Sequence, residues 1–171
     1  MGCGLGSFLA RVSSRRPELQ LCATDIDAEA VEATRARVPG VSAIESSAEE
    51  IPFPSQSMDI VTAWDVIEHV PDLDRVRSEV MRVLRPRGAF LFVVPVYDGA
   101  TGPLISRLDK DPTHIHKRPR SFWLEWASDR FEVVDWHGMF RYLLGPLYLH
   151  WPTRMLRRAS PAIVVACVRP G

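Results

Sequence analysis

Apolar and polar positions follow two rhythms over the first hundred residues. Residues 19–24 form a short apolar run that stops at Asp25 and reads as a buried strand. Asp27 stands where a helix cap belongs, before residues 28–38, whose Ala30, Val31 and Val38 share a side with half-polar Thr34. Pro39-Gly40 ends that helix, and residues 41–44 predict a second strand. An acidic, proline-marked loop at 49–57 precedes a third strand at 58–64. A helix opening at Asp72 or Asp74 puts Val76, Val80, Val83 and Leu84 on one face. Pro86-Arg87-Gly88 then turns the chain into 89–94, the most apolar strand of all. Strands alternating with helices predict parallel pairing through right-handed crossovers, and so an α/β fold.

After Pro95 the rhythm changes. Residues 97–120 are loop-rich and carry the polar cluster Asp109-Lys110-Asp111-Pro112-Thr113-His114-Ile115-His116. Residues 121–130 predict a helix, and 131–136 and 162–168 a final antiparallel strand pair. Between those strands, residues 139–158 mix aromatics and leucines with Arg141, Arg154, Arg157 and Arg158. Such a segment suits a bilayer interface, with arginines at the headgroups, or the cap of an apolar pocket; Gly145, Pro146 and Pro152 would interrupt a long helix there. No repeat or linker appears, which predicts one domain with an elaborated C-terminal half.

Composition narrows the function. The chain has 171 residues, 46% of them apolar and 25% charged, an ordinary globular balance. Lys+Arg and Asp+Glu both total 21, and a net charge of zero argues against a dedicated nucleic-acid binder. The halves differ: residues 1–100 hold 15 acidic and 10 basic side chains, residues 101–171 hold 6 and 11. Cys3, Cys22 and Cys167 are widely spaced and form neither a disulfide framework nor a zinc pattern, and no metal-ligand spacing is read. With no signal-like start and no apolar run of spanning length, a cytoplasmic protein is expected.

The chemistry begins at Gly2-Cys3-Gly4-Leu5-Gly6, directly before the helical stretch 7–16. A glycine turn lets a ligand lie against bare backbone, and the helix start behind it offers free N–H groups to an anionic group. Asp25 ends the next strand, 21 residues after Gly4, the spacing at which a carboxylate accepts hydrogen bonds from ribose hydroxyls. A nucleoside-bearing cofactor follows. Ser7 stands where a dinucleotide fingerprint needs its last glycine, which argues against a nicotinamide-dependent oxidoreductase.

Further motifs follow in order: Thr24-Asp25-Ile26-Asp27, Glu49-Glu50-Ile51-Pro52-Phe53-Pro54, Asp65-Val66-Ile67-Glu68-His69-Val70-Pro71-Asp72 and Leu84-Arg85-Pro86-Arg87-Gly88. Together with the glycine loop they resemble the class I S-adenosylmethionine-dependent methyltransferases, in particular the type 11 small-molecule group that includes ubiquinone-pathway enzymes. The resemblance covers roughly residues 1–97 and thins beyond. It implies a Rossmann-like, mostly parallel sheet with helices on both faces, a cofactor-binding core at 1–97 and a variable acceptor-side segment at 98–171. It also implies that Gly2, Gly4 and Gly6 face the methionine part of S-adenosylmethionine, that Asp25 holds the ribose and that Ile26 packs on the adenine. Ser47 and Ala48 occupy the adenine-amino position, where the family often has aspartate before the alanine, and Asp65 lines the pocket near the methyl-bearing sulfur.

The family places a strand immediately before the glycine loop, in the middle of its sheet, whereas here Met1 directly precedes Gly2. The first, central strand is therefore expected to be missing, through a fragment, a misassigned start or a degenerate copy. His114 and His116 fall where the family builds its acceptor pocket and are the candidates for acceptor binding or for removing a hydroxyl proton. His69, four residues after Asp65, reads as a residue that stabilises the turn before Pro71. The leading expectation is methyl transfer to a small-molecule acceptor, lipid-like or aromatic included, by in-line displacement. The alternative is a silent methyltransferase-fold subunit. The sequence gives no oligomeric state.

Overall fold

A computed structural model describes residues 1–99, 102–144 and 147–171, and the side chains outside 141–150. The glycine-rich start leads into α1 (Ser7–Arg15), β1 (Cys22–Asp25), α2 (Ala28–Arg37), β2 (Ser42–Glu45) and β3 (Met58–Trp64). One 3-10 turn (Ile67–His69) precedes α3 (Leu73–Val83) and β4 (Leu84–Pro95). Then come α4 (Gly102–Leu108), α5 (Arg120–Ser128), β5 (Glu132–Leu144), β6 (Leu147–Thr153) and β7 (Ala162–Val168). The helix starts obey local chemistry. Asp27 accepts from the Glu29 N–H at 2.9 Å and Asp72 from the Arg75 N–H at 2.9 Å, each satisfying a donor that the first turn leaves free.

The strands form two sheets. β1 and β2 pair in parallel, and a second sheet runs β3-β4-β7-β5-β6. In that sheet β3 and β4 are parallel, while β7 enters antiparallel between β4 and β5 and β6 extends the far edge. The expected final pair is thus β5 with β7, widened by a third strand. Among the described residues no strand precedes α1. Residues 1–3 instead touch both sheets: the Met1 ammonium donates to the Thr62 carbonyl at 2.9 Å, and the Cys3 N–H donates to the Thr24 carbonyl at 3.0 Å.

The larger sheet carries the principal core. α3 buries Val76, Val80 and Val83 against it, and α5 buries Trp123, Trp126 and Ala127 beside Phe90, Phe92 and Phe131. The small sheet is covered by α2 through Val31 over Ala23 and Ala43. α1 buries no residue, although Phe8, Leu9 and Val12 give it an apolar side.

Three expectations change. The turn at 86–88 lies inside β4 as a bulge: Met58 faces Leu84, Ile60 already faces Ala89, and Arg87 takes a φ of 61°. The loop-rich stretch contains α4. Within 139–158, residues 139–144 and 147–153 belong to the paired strands β5 and β6, which satisfy backbone groups that the prolines would leave open in a helix, and 154–158 turn away. Gly145 and Pro146, expected to interrupt that segment, lie outside the described residues. Of its arginines, Arg154 pairs with Asp135 and donates to His137 at 2.8 Å, and Arg157 lies 4.4 Å from the Trp136 ring centroid. No helix among the described residues is long and apolar enough to cross a membrane.

Candidate functional site

The site assembles at the carboxyl ends of β1 and β3, the edge of an α/β sheet where loops, not ladders, present their groups. Gly2 and Gly6 both have positive φ and both lie against neighbouring elements. A β-carbon on Gly2 would stand 2.1 Å from a methyl of Val66, and one on Gly6 would stand 3.0 Å from the Thr34 backbone, so any side chain would force the loop away. Gly4 has open space on that side.

Asp25 reaches the loop directly. Its Oδ2 accepts from the Gly4 N–H at 2.8 Å, and its Oδ1 accepts from the Asp27 N–H at 3.1 Å. A carboxylate has about four acceptor positions, so two remain for hydroxyl donors. Ile26, next in the chain, is 77% exposed, a large apolar side chain held in water beside that carboxylate. Thr34, which the sequence ranks only as a half-polar member of an apolar face, is fully buried and donates to the Gly4 carbonyl at 2.9 Å. It fastens the glycine loop to α2. A polar residue on the buried side of a helix was the available signal.

The adenine-side expectation falls on a turn. The Ser47 hydroxyl accepts from the Glu49 N–H at 3.1 Å, and Ala48 is buried behind it. This loop is strapped to α3: Glu49 accepts from the Asp72 N–H, Glu79 accepts from the Ile51 N–H, and Arg82 donates to the carbonyls of Ile51 and Phe53. The hydrogen bond from Arg82 holds the Glu79 carboxyl below its ordinary range against the effect of burial.

Asp65 follows β3 with a φ of 53°, a left-handed conformation that a non-glycine residue adopts rarely, and its N–H donates to the Val93 carbonyl. This bend aims the chain into the 3-10 turn that carries Glu68 and His69. The His69 Nδ1 lies 3.1 Å from the Thr113 carbonyl and 2.9 Å from the Thr113 hydroxyl.

The two histidines expected on the acceptor side separate. His114 Nδ1 is 2.9 Å from Asp109 Oδ2, with the Tyr97 hydroxyl also on that carboxylate. Burial disfavours the Asp109 charge, yet hydrogen bonds from Tyr97, His114 and Lys117 outweigh it and hold the carboxyl well below its ordinary range. Burial, then the neighbouring Asp109, pushes the Tyr97 phenol far upward. An imidazole whose Nδ1–H is held by a carboxylate keeps Nε2 as an acceptor. His116 is used structurally: its N–H donates to the Glu68 carbonyl at 3.1 Å, its Nε2 lies 2.9 Å from the Val70 carbonyl, and its ring meets Trp123 edge-on. Tyr97 and Asp109 are missed by the sequence reading as partners of His114, although Asp109 lies in the polar cluster that drew attention.

Comparison with known proteins gives the family. The chain is 38% identical over 149 residues to a protein of Mycolicibacterium smegmatis named as a probable S-adenosylmethionine-dependent methyltransferase, covering 81% of this chain and 53% of that one. It is 33% identical over 135 residues to the uncharacterized methyltransferase YcgJ of Bacillus subtilis, covering 72% and 51%. The chain thus spans about half the length of these relatives. The crystal structure of YcgJ superposes with a TM-score of 0.72 over 99% of this chain and 90% of that chain, at 20% identity, so it shares the fold. A SAM-dependent methyltransferase structure from Methanosarcina mazei gives 0.73, with the same coverages, at 18% identity. Residues 1–92, over half of the sequence, match the family described as methyltransferase domain, and the chain belongs to that family, with its class I, Rossmann-like fold.

Proposed function

We propose that the chain binds S-adenosylmethionine in the crevice between the glycine loop and Asp65 and transfers its methyl group to a small-molecule acceptor. The observation that carries this reading is the 2.8 Å hydrogen bond from the Gly4 N–H to Asp25, which joins bare backbone and carboxylate in one cradle. In that cradle Gly2, Gly4 and Gly6 face the methionine part, Asp25 the ribose and Ile26 the adenine. Ser47 and Ala48 border the adenine amino group, and Asp65 lies toward the sulfur. Residues 1–97 form this cofactor half, and residues 98–171 form the acceptor half.

A sulfonium is already an activated leaving group, so the protein's task is to hold nucleophile, methyl and sulfur in line, an effect worth several kcal/mol. His114 supplies the acceptor-facing group, with Asp109 orienting its ring. His116 supports it by holding the 113–116 loop on the 3-10 turn. Calorimetry with S-adenosylhomocysteine and, separately, NADH tests the reading: binding of the first alone supports it, and binding of NADH alone removes it.

Peripheral membrane contact through 139–158 is a separate proposal, supported by exposed Trp151, Met155 and Leu156. Co-sedimentation with anionic liposomes tests it, and equal soluble fractions with and without Trp151→Ala/Met155→Ala would remove it.

A further inference from the structure

The geometry points to a binding site for a divalent transition-metal cation, formed by Glu68, His69 and His114 on the acceptor side of the cofactor crevice. Each of the three offers a ligand atom within 4.8 Å of the other two. Glu68 is fully buried, and the His69 and His114 rings lie 4.6 Å apart between centroids, tilted by 44°. Sequence spacing hides the set, because 45 residues separate His69 from His114.

The two segments are held together by hydrogen bonds. The His69 ring bonds to Thr113, the His116 N–H to the Glu68 carbonyl, and the His116 ring to the Val70 carbonyl. Both imidazoles engage partners through Nδ1: Thr113 for His69 and Asp109 for His114. A carbonyl or carboxylate on one ring nitrogen fixes the tautomer and raises the basicity of the other, the arrangement found around metal-bound histidines. The Nε2 lone pairs therefore fall to the ion. Asp111 Oδ2, 4.0 Å from His114 Nε2, is near enough to serve as a fourth ligand or to hold a bound water.

Two imidazoles and a carboxylate suit zinc, cobalt or iron better than magnesium or calcium. Tetrahedral ligands at about 2.1 Å from the metal lie about 3.4 Å from one another, so the three groups must close by up to about 1.4 Å. Both histidines are partly exposed, and the proposal requires the rings and the Glu68 carboxylate to share that movement on binding. The site adjoins the cofactor crevice: Gly2 packs on Val66, two residues before Glu68.

Its use rests on the methyl-transfer reading. An acceptor hydroxyl bound to the ion loses its proton to water near neutral pH, and the resulting oxyanion attacks the methyl. The carbon–oxygen bond forms as the sulfur–carbon bond breaks, with that electron pair returning to sulfur. His114 then acts as a ligand, not as a base.

Titrating the metal-free chain with Zn²⁺ or Co²⁺ tests the site without any methyl transfer. One equivalent is expected to bind, with visible d–d bands for Co²⁺. His114→Ala or Glu68→Gln should weaken binding at least about 100-fold, and Asp109→Asn about 10-fold, while His137→Ala leaves it unchanged. If Glu68→Gln fails to fold, by its melting curve, the more exposed His114→Ala decides. No binding at millimolar ion, or equal binding by the His69→Ala/His114→Ala double variant, overturns the site. Catechol, a bidentate hydroxyl probe, should shift the Co²⁺ bands; an unchanged spectrum overturns the acceptor role. S-adenosylhomocysteine binding by the metal-free chain separates failure of this site from failure of the methyl-transfer reading.

Discussion

The two sheets are unequal, and the weaker one lies beside the glycine loop. The five-stranded sheet buries Trp123, Phe90, Phe92 and four valines of α3 and β4. The β1–β2 sheet closes over Ala23, Val31 and Ala43, and the helix behind the glycine loop buries nothing. Buried apolar area sets most of the local stability, so the β1–β2 sheet and the glycine loop should open at lower cost than the five-stranded sheet. Binding of a ligand to the folded loop would add stability there by mass action. The comparison teaches that fold stability and site placement are separated in this molecule.

The largest effect should come from Trp123→Ala, which removes a fully buried ring from the main core and should cost about 3–5 kcal/mol, read as a lowered urea midpoint over the whole molecule. Next, Glu79→Gln should cost about 1.5–3 kcal/mol, because it weakens charged hydrogen bonds to Arg82 and Ile51. Its sign with pH is fixed. The folded carboxyl titrates below 4.5, so its contribution is present above that pH and is lost as the pH falls through the folded value. The acid limb of a stability–pH curve should therefore flatten in the variant; an unchanged limb contradicts the assignment.

On the small sheet, Val31→Ala should cost only about 1–2 kcal/mol, and hydrogen exchange should speed in β1 and β2 while the amides of β4 and β7 stay protected. Uniform acceleration would show that the sheets unfold as one unit. The smallest effect should be Thr34→Val, about 1 kcal/mol, read as a few-fold weaker affinity for S-adenosylhomocysteine with little change in melting temperature. At high pH, Cys167 adds a slope: burial pushes its thiol from 9.0 up to about 12, so stability present below 9 is lost as the pH rises between the two values.

Legibility in the sequence follows the same division. β3 was readable residue for residue because the apolar run ends at Trp64-Asp65, Asp27 announced its helix by cap chemistry, and the next helix start was narrowed to Asp72 or Asp74, of which Asp72 is the cap. The closeness of the glycine loop and Asp25 was legible because their spacing encodes a local loop–helix–strand path. α4 and β6 were not: both lie in stretches broken by proline and glycine, where pairing partners far along the chain decide the conformation. The convergence of Glu68, His69, Asp109 and His114 was hidden for the same reason, since only the tertiary fold brings the 3-10 turn to the 109–116 loop. His116 had the right neighbourhood but serves the backbone of Val70.

The central claim is that the glycine loop and Asp25 act as one cofactor cradle, and calorimetric titration of the wild-type chain and Asp25→Ala with S-adenosylhomocysteine tests it most directly. The account predicts one site in the wild type and an affinity lowered about 10- to 100-fold in the variant, the worth of a charge-assisted hydrogen bond. Equal affinity in a folded Asp25→Ala protein, or no binding by the wild type, would contradict it.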